Sequence, residues 1–311
     1  MIVTVLGGNG FIGSRLVAHL LNLGHSVRVF DRSTAQEQQY GWGENLQVFH
    51  GDFTTDTDFR PALNGCDVVF HLVSTTLPNS SNNDPIADVM GNLVPTLRLL
   101  DQMRETGVKR IIFPSSGGTV YGEASSLPIQ EQHSTDPIVS YGVVKLSIEK
   151  YLSIYRRNSG LSPICLRISN PYGPGFRTNS PQGAIGAFLN KALNGQAIDI
   201  WGTGEIRRDY LYIEDLVDAL VMSMTYTGDS FIFNISTGIG TSLLEIVEHI
   251  EIITNRKLII HRHPSRSFDV QTNILSNALA AKKLGWQPTT TLKNGIELTK
   301  NWMLESIKKF E

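Results

Sequence analysis

Cysteine, net charge and long apolar runs are all scarce in this chain. Its two cysteines, Cys66 and Cys165, each lie in an apolar stretch that reads as a strand. They are expected to be packing thiols, not a disulfide or a metal pair, which fits a reducing cytoplasm. Acidic residues number 29 against 27 Lys plus Arg, a net charge of -2. No strong field is available to gather nucleic acid or an anionic membrane, so any bound anion must be held by a few placed Arg or Lys side chains. Aromatic residues are not interleaved with a basic patch, so a nucleic-acid partner is not expected. No apolar run has membrane-spanning length, and no basic leader with a cleavage pattern precedes the first apolar run. A cytoplasmic location is expected. His261 and His263 lie two apart, but no Cys or acidic residue is spaced to complete a zinc set. They read as solvent-facing, with no metal site. What the chain does have is 41% hydrophobic residues, enough for a sizeable core.

Apolar runs at 2–6, 27–30, 48–50, 67–73, 108–113 and 163–168 read as buried strands. Segments 11–23, 89–103 and 141–155 have helical spacing, with Gly24 and Gly107 closing the first two. Strands alternating with helices predict an α/β protein with a doubly wound parallel sheet. After about Asn170 the texture changes and Pro and Gly become frequent. Helices are expected near 183–194, 213–226 and 242–253, and strands near 198–201, 231–235 and 257–261. The predicted organisation is residues 1–169 as a dinucleotide-binding domain and 170–311 as a smaller α/β substrate-binding lobe, with a soft boundary across which strands can interleave.

Gly7-x-x-Gly10-x-x-Gly13 stands between the first strand and the first helix. One glycine permits the turn, one lets a pyrophosphate approach the main chain, and one lets helix and strand pack closely. The helix start, at Phe11, Ile12 and Gly13, offers amide groups and a positive dipole to phosphates. Asp31 ends the second strand about 20 residues on, where a carboxylate can hold ribose hydroxyls. It would repel a ribose phosphate, which favours NAD over NADP. Asp52, after the third strand, is a candidate near the adenine; its plainer reading is a loop cap. The whole reads as a Rossmann-type unit.

Tyr141-x-x-x-Lys145 places a phenol and an ammonium on one helix face. A nearby cation favours the phenolate and lowers the tyrosine pKa, so Tyr141 can exchange a proton with a substrate hydroxyl while hydride moves to or from a nicotinamide.

These features, with Gly51-Asp52, His71-Leu72, Asn92, Ser115-Ser116-Gly117-Gly118-Thr119-Val120-Tyr121-Gly122, Asn170-Pro-Tyr-Gly-Pro174, Arg208-Asp209-Tyr210, Asp215 and Leu284-Gly-Trp286, run nearly the length of the chain. In that order they resemble an extended short-chain dehydrogenase/reductase of the nucleotide-sugar epimerase/dehydratase family, similar to UDP-glucose 4-epimerases. The resemblance implies Tyr141 as acid/base and Lys145 as the residue that holds the nicotinamide ribose and tunes Tyr141. It implies Asn92 as a structural asparagine, Asn170 beside the substrate diphosphate, Arg208 paired with a diphosphate oxygen, and Arg266 and Asp269 as a nucleotide grip. A homodimer through helices 89–103 and 141–155 is also implied. The chain departs from the family at Gly117, where Ser or Thr is usual; Ser116, Thr119 or a water are the alternatives for that hydroxyl. Pro95, where glycine is common, is expected to kink or open its helix.

The function expected from the resemblance is NAD-dependent 4-epimerisation of a UDP-hexose through a transient 4-keto sugar. The alternative is an NAD(P)H-dependent reductase of a dTDP-4-keto-6-deoxyhexose. Dehydration ranks lower, since residues 115–122 lack the acid pair of such relatives. A non-catalytic NAD-binding protein is disfavoured by the intact Tyr141 and Lys145. The segments 75–84 and 176–182 are expected to shape the sugar pocket.

Overall fold

The computed structural model describes residues 1–32, 44–175, 183–264 and 270–308. Arg266, Asp269 and segment 176–182 lie outside the described residues. The elements in chain order are β1 (Ile2–Leu6), α1 (Phe11–Asn22), β2 (Ser26–Asp31), β3 (Leu46–His50), α2 (Arg60–Leu63), β4 (Val68–His71), α3 (Pro85–Asp88), α4 (Val94–Thr106), β5 (Arg110–Ser116), α5 (Ser140–Ser159), β6 (Ser162–Ile168), β7 (Asn170–Tyr172), α6 (Ala184–Leu193), β8 (Ile198–Trp201), β9 (Arg207–Tyr212), α7 (Ile213–Ser223), β10 (Ile232–Ile235), β11 (Gly240–Ser242), α8 (Leu243–Thr254), β12 (Ile260–His263), β13 (Thr272–Asn273), α9 (Ala278–Leu284) and α10 (Leu292–Lys308). Among the described residues no helix is long and apolar enough to cross a membrane.

The chain divides into two compact units. The first comprises Met1–Gly122, Ser134–Arg167 and Val217–Phe233; the second comprises Glu123–His133, Ile168–Leu216 and Asn234–Glu311. The chain therefore enters the second unit before the sequence texture changes, and leaves it again for residues 217–233.

A seven-stranded parallel sheet in the order β10-β6-β5-β4-β1-β2-β3 carries the first unit. Leu6 pairs with Phe30 on one side and His71 on the other, so β1, β2 and β4 end level. The order reverses between β1 and β4, and the carboxyl edge at such a reversal is where open α/β sheets bind ligands. Helix α1 buries Gly13, Leu16, Val17 and Leu20, one face at helical spacing. Leu99, Leu100 and Met103 of α4 and Val144, Ile148 and Leu152 of α5 join one apolar cluster with Phe30, Phe59 and Phe113. Each such side chain contributes about 1.5–3 kcal/mol on full burial.

One ion pair lies inside this core. Arg167 on β6 donates to Glu149 on α5 at 2.6 Å, with side-chain exposures of 3% and 1%. The Ser115 hydroxyl at the end of β5 donates to the same carboxylate at 2.5 Å, and the guanidinium lies 4.7 Å from the Tyr121 ring centre. Buried charges persist only when paired and hydrogen-bonded, so this cluster fixes α5 to the ends of β5 and β6.

The 231–235 strand, in the part of the chain beyond the soft boundary across which strands can interleave, lies at the edge of the large sheet beside β6, where Cys165 N–H donates to the Phe231 carbonyl. Its apolar residues suit either sheet, so periodicity alone could not assign it. The 89–103 helix begins instead with α3, passes through a π-helical turn at Val89–Leu93 and only then becomes α4. Pro95 has no N–H to continue a regular ladder, which places the irregular turn just before it.

In the second unit β9 is flanked by β11 and β13 and also pairs with β7, while β8 and β12 form a separate parallel pair. Two of the motifs have structural work here. The buried Asp209 carboxylate accepts from Thr237 N–H and hydroxyl and from Gly238 N–H. Asp215 accepts from Thr289 and Thr290, and its carbonyl accepts the Trp286 indole N–H at 2.9 Å. The strand expected at 257–261 begins at Ile260. His263, expected to face solvent, stacks on Trp201 at 5.0 Å and bonds Asp199 at 2.8 Å.

Candidate active site

The glycine loop stands at the carboxyl end of β1. Gly7 has φ +82, a conformation that L side chains avoid, and its N–H donates to the Phe30 carbonyl. A Cβ on Gly13 would lie 2.2 Å from the Gly7 carbonyl oxygen and 2.8 Å from Gly8 Cα, so helix and loop meet there backbone to backbone. Gly10 differs: its φ of -76 is ordinary, and a Cβ would meet only the Gly7 oxygen, at 3.2 Å. Little inside the chain demands a glycine at 10, which suits close approach by a group from outside. Helix α1 has no side-chain cap, and Ser14 N–H donates to the Gly10 carbonyl at its start. Asp31 closes β2 and accepts the Asn9 N–H at 2.9 Å, which puts its carboxylate against the loop. This bare-backbone cradle, helix start and adjoining carboxylate suit a dinucleotide.

Asp52 stands just after β3. One carboxylate oxygen accepts from Thr54 N–H and hydroxyl, and the other faces Arg32 at 3.9 Å. These Thr54 bonds hold its pKa below the usual value.

Tyr141 and Lys145 occupy the first turns of α5. The Lys145 ammonium is buried, donates to the Pro114 carbonyl at 3.0 Å and lies 4.7 Å from the Phe113 ring centre and 5.6 Å from that of Tyr141. Burial lowers its pKa to about 8, against which the charges of Asp88 and Glu149 work. Tyr141 moves the other way from the sequence expectation. Burial raises its pKa to about 12, partly offset by a hydrogen bond with Ser74, and the Asp88 charge raises it further. Desolvation of the phenolate dominates, and Lys145, whose charge stands over the ring and is committed to a carbonyl, does not offset it. Without a ligand, Tyr141 is a neutral acid.

The loop after β5 turns tightly, with Thr119 and Val120 N–H donating to the Ser116 carbonyl. The Thr119 hydroxyl is buried and has no hydrogen-bond partner among the described residues. Such a group costs about 1–3 kcal/mol, and its exposure to an incoming polar ligand is the natural remedy.

In the second unit Asn170 and Arg208 line one cavity of about 250 Å³, together with Tyr172, Trp201 and Tyr210. The Asn170 amide donates to the Asp209 carbonyl and one Arg208 nitrogen to the Arg207 carbonyl. The π-helical turn puts Asn92 where its amide oxygen accepts the Thr75 N–H and its nitrogen donates to Asp88, as a structural asparagine would. Sequence reasoning missed Asp88, Glu149 and Arg167. Acidic and basic residues on helices and strands read as surface groups, and only tertiary contacts reveal their burial.

Fold and loop define a nicotinamide-dinucleotide-binding α/β protein. The profile of the NAD dependent epimerase/dehydratase family matches residues 3–236. A dTDP-4-dehydro-6-deoxyglucose reductase of Escherichia coli is 34% identical, covering 95% of both chains. Among solved structures, UDP-glucose 4-epimerase of Thermotoga maritima with UDP-glucose has a TM-score of 0.92 at 33% identity, covering 99% of this chain and 100% of that one. UDP-glucose 4-epimerase of Thermus thermophilus complexed with NAD has a TM-score of 0.89 at 28% identity, covering 98% and 100%. The chain belongs to the NAD-dependent epimerase/dehydratase family. It is an NAD-dependent enzyme of the nucleotide-sugar epimerase or reductase kind.

Proposed function

We propose that this enzyme interconverts UDP-hexoses at C4, glucose with galactose or their N-acetyl forms, through a transient 4-keto sugar. The observation that carries the reading is the pairing of Tyr141 with the buried Lys145 in the same compact unit as the glycine loop. Residues 7–13 and Asp31 would hold NAD, which when bound supplies a hydride acceptor and returns the hydride. Tyr141 Oη exchanges a proton with the sugar O4: as the phenolate, which the positive charges of Lys145 and of bound NAD would favour, it takes the proton, and as the phenol it returns it. Lys145 holds positive charge beside it. Thr119 is the better stand-in for the hydroxyl that Gly117 lacks, because its Oγ1 is buried and unpartnered among the described residues; Ser116 is the alternative. Arg208, whose guanidinium suits a diphosphate, and Asn170 would grip the nucleotide in the second unit. Arg266 and Asp269 are proposed to add to that grip.

A homodimer is proposed on an apolar surface of the first unit. Ile86, Val89 and Met90 are 77%, 37% and 54% exposed, and Val143, Tyr151 and Ile154 of α5 form a second exposed stripe. A cytoplasmic location accords with two buried free cysteines.

The 34% identical E. coli reductase supports a second reading, reduction of a dTDP-4-keto-6-deoxyhexose. Purified protein decides between them. An epimerase retains NAD and equilibrates UDP-sugars without added cofactor, followed by NMR of the products. Stoichiometric NADH or NADPH consumption with a dTDP-4-keto sugar, and no UDP-sugar interconversion, would replace the epimerase reading with the reductase.

A further inference from the structure

We infer that Asp88 is a positioning residue for this reaction: it clamps the first turn of α5 and sets the charge balance under which Tyr141 and Lys145 handle the proton. The inference rests on the proposed acid/base role of Tyr141 and adds a residue to it.

Asp88 closes α3 and is fully buried. Its carboxylate takes three side-chain donors from three separate segments. Oδ1 accepts the Thr76 hydroxyl at 2.6 Å, from the loop after β4, and the Asn92 amide at 3.0 Å, from the π-helical turn. Oδ2 accepts the Ser140 hydroxyl at 2.8 Å, from the first residue of α5. Both oxygens are used as acceptors; an amide in the same place would keep one of them and meet the Ser140 hydroxyl with a nitrogen, without the charge. All three donors are neutral, and no Lys or Arg forms an ion pair with Asp88 among the described residues. A buried carboxylate held only by neutral groups is costly, and its field reaches neighbours with little solvent screening.

Those neighbours are the catalytic pair. The clamp sits one residue before Tyr141, at a helix start with no side-chain cap of its own. Asn82 accepts the Ser140 N–H at 2.8 Å and Ser81 the Tyr141 N–H at 3.1 Å, so the same region satisfies the first amides of α5. Helix α5 thus carries Tyr141 at an angle that the segment from Thr76 to Asn92 dictates. The Asp88 charge also favours the ammonium of Lys145 against burial and disfavours the phenolate of Tyr141. Among the described residues, Glu149 on α5, with its partner Arg167 on β6, also bears on Lys145, and His71 at the end of β4 lies near it, whereas Asp84 at the start of α3 is exposed and caps Ala87. Burial lowers the His71 pKa to about 3, so it stays neutral and adds no charge.

The test uses full-length, NAD-loaded protein. Asp88→Asn removes the charge, so Lys145 loses its proton more readily and Tyr141 ionises more readily. Both limbs of the kcat profile then move toward acid by about half a pH unit or more, and kcat falls about tenfold or more while KM changes little. Tyr141 ionisation is read independently of any sugar, as the ultraviolet difference between each protein and its Tyr141→Phe counterpart, and its midpoint falls in Asp88→Asn. Ser140→Ala loses the clamp but keeps the charge, so kcat drops severalfold with the midpoint in place. An unmoved Tyr141 midpoint in folded Asp88→Asn overturns the inference. Should Asp88→Asn not fold, wild-type kcat and KM in Ser140→Ala overturn it and a kcat loss at unchanged KM supports it. Failure of the wild-type protein to turn over any nucleotide sugar, with the midpoint still shifted, would count against the proposed function and leave the charge role of Asp88 standing.

Discussion

Lys145 stands 5.6 Å from the centre of the Tyr141 ring, one helical turn further along α5, with its ammonium bonded to the Pro114 carbonyl. The pair is therefore joined to the end of β5 as well as to each other's helix face. Neither group has its ordinary proton affinity: burial lowers the lysine to about 8 and raises the tyrosine to about 12.

Tyr141→Phe removes the proton carrier and keeps the ring. Turnover is expected to fall about 10²–10⁴-fold, with NAD content unchanged, as measured by product formation and by cofactor released on denaturation. Full activity would end the acid/base assignment.

Lys145→Met should change how stability responds to pH. The folded pKa of about 8 lies below the ordinary 10.5, so the unfolded chain binds more protons between those values. Below pH 8 the wild type bears the full cost of the buried charge, of order 3 kcal/mol at most. Its stability relative to Lys145→Met should rise from about pH 8 to 10.5, measured by denaturant titration of both proteins. A flat difference across that window would show that Lys145 is not held below its usual pKa.

Gly13→Ala puts a Cβ 2.2 Å from the Gly7 oxygen. The loop must open, at a cost of about 1–3 kcal/mol, and NAD affinity should weaken about tenfold or more. Calorimetric titration of cofactor-stripped protein measures it; undiminished affinity would separate the loop from the dinucleotide.

Arg167→Leu leaves Glu149 buried without its cation. A loss of about 3–5 kcal/mol in unfolding free energy is expected, read from the urea midpoint. Wild-type stability would mean that water or a proton replaces the guanidinium at no cost.

Met90→Lys, alone or with Ile86→Lys, sets charge in the exposed apolar surface beside α3. Sedimentation velocity should show the proposed dimer dissociating while the monomer stays folded by circular dichroism. An unchanged dimer would move the contact elsewhere.

Much of the first unit was legible in the chain. β1 spans the residues that its apolar run marked, and α1 buries the face that its spacing showed, because a parallel strand and a helix that covers it each carry their burial pattern locally. Gly7 and Gly13 were legible for a similar reason: a left-handed turn and a backbone-to-backbone contact exclude other residues outright. The sheet that β10 joins was not legible, since a short apolar strand carries no mark of its sheet. The phenolate expectation for Tyr141 failed because spacing reports proximity to a charge but not the loss of water, and here the loss of water is the larger effect.

What the residues determined alone were the alternation of elements, the dinucleotide loop and the one-turn spacing of phenol and ammonium. These depend on interactions between residues near in sequence or on exclusions imposed by the backbone. The tertiary structure decided which charges are buried, and so the proton affinities of Tyr141 and Lys145, the pairing of Glu149 with Arg167 and the place of Asp88. Desolvation and long-range pairing depend on residues tens of positions apart, and no local pattern encodes them.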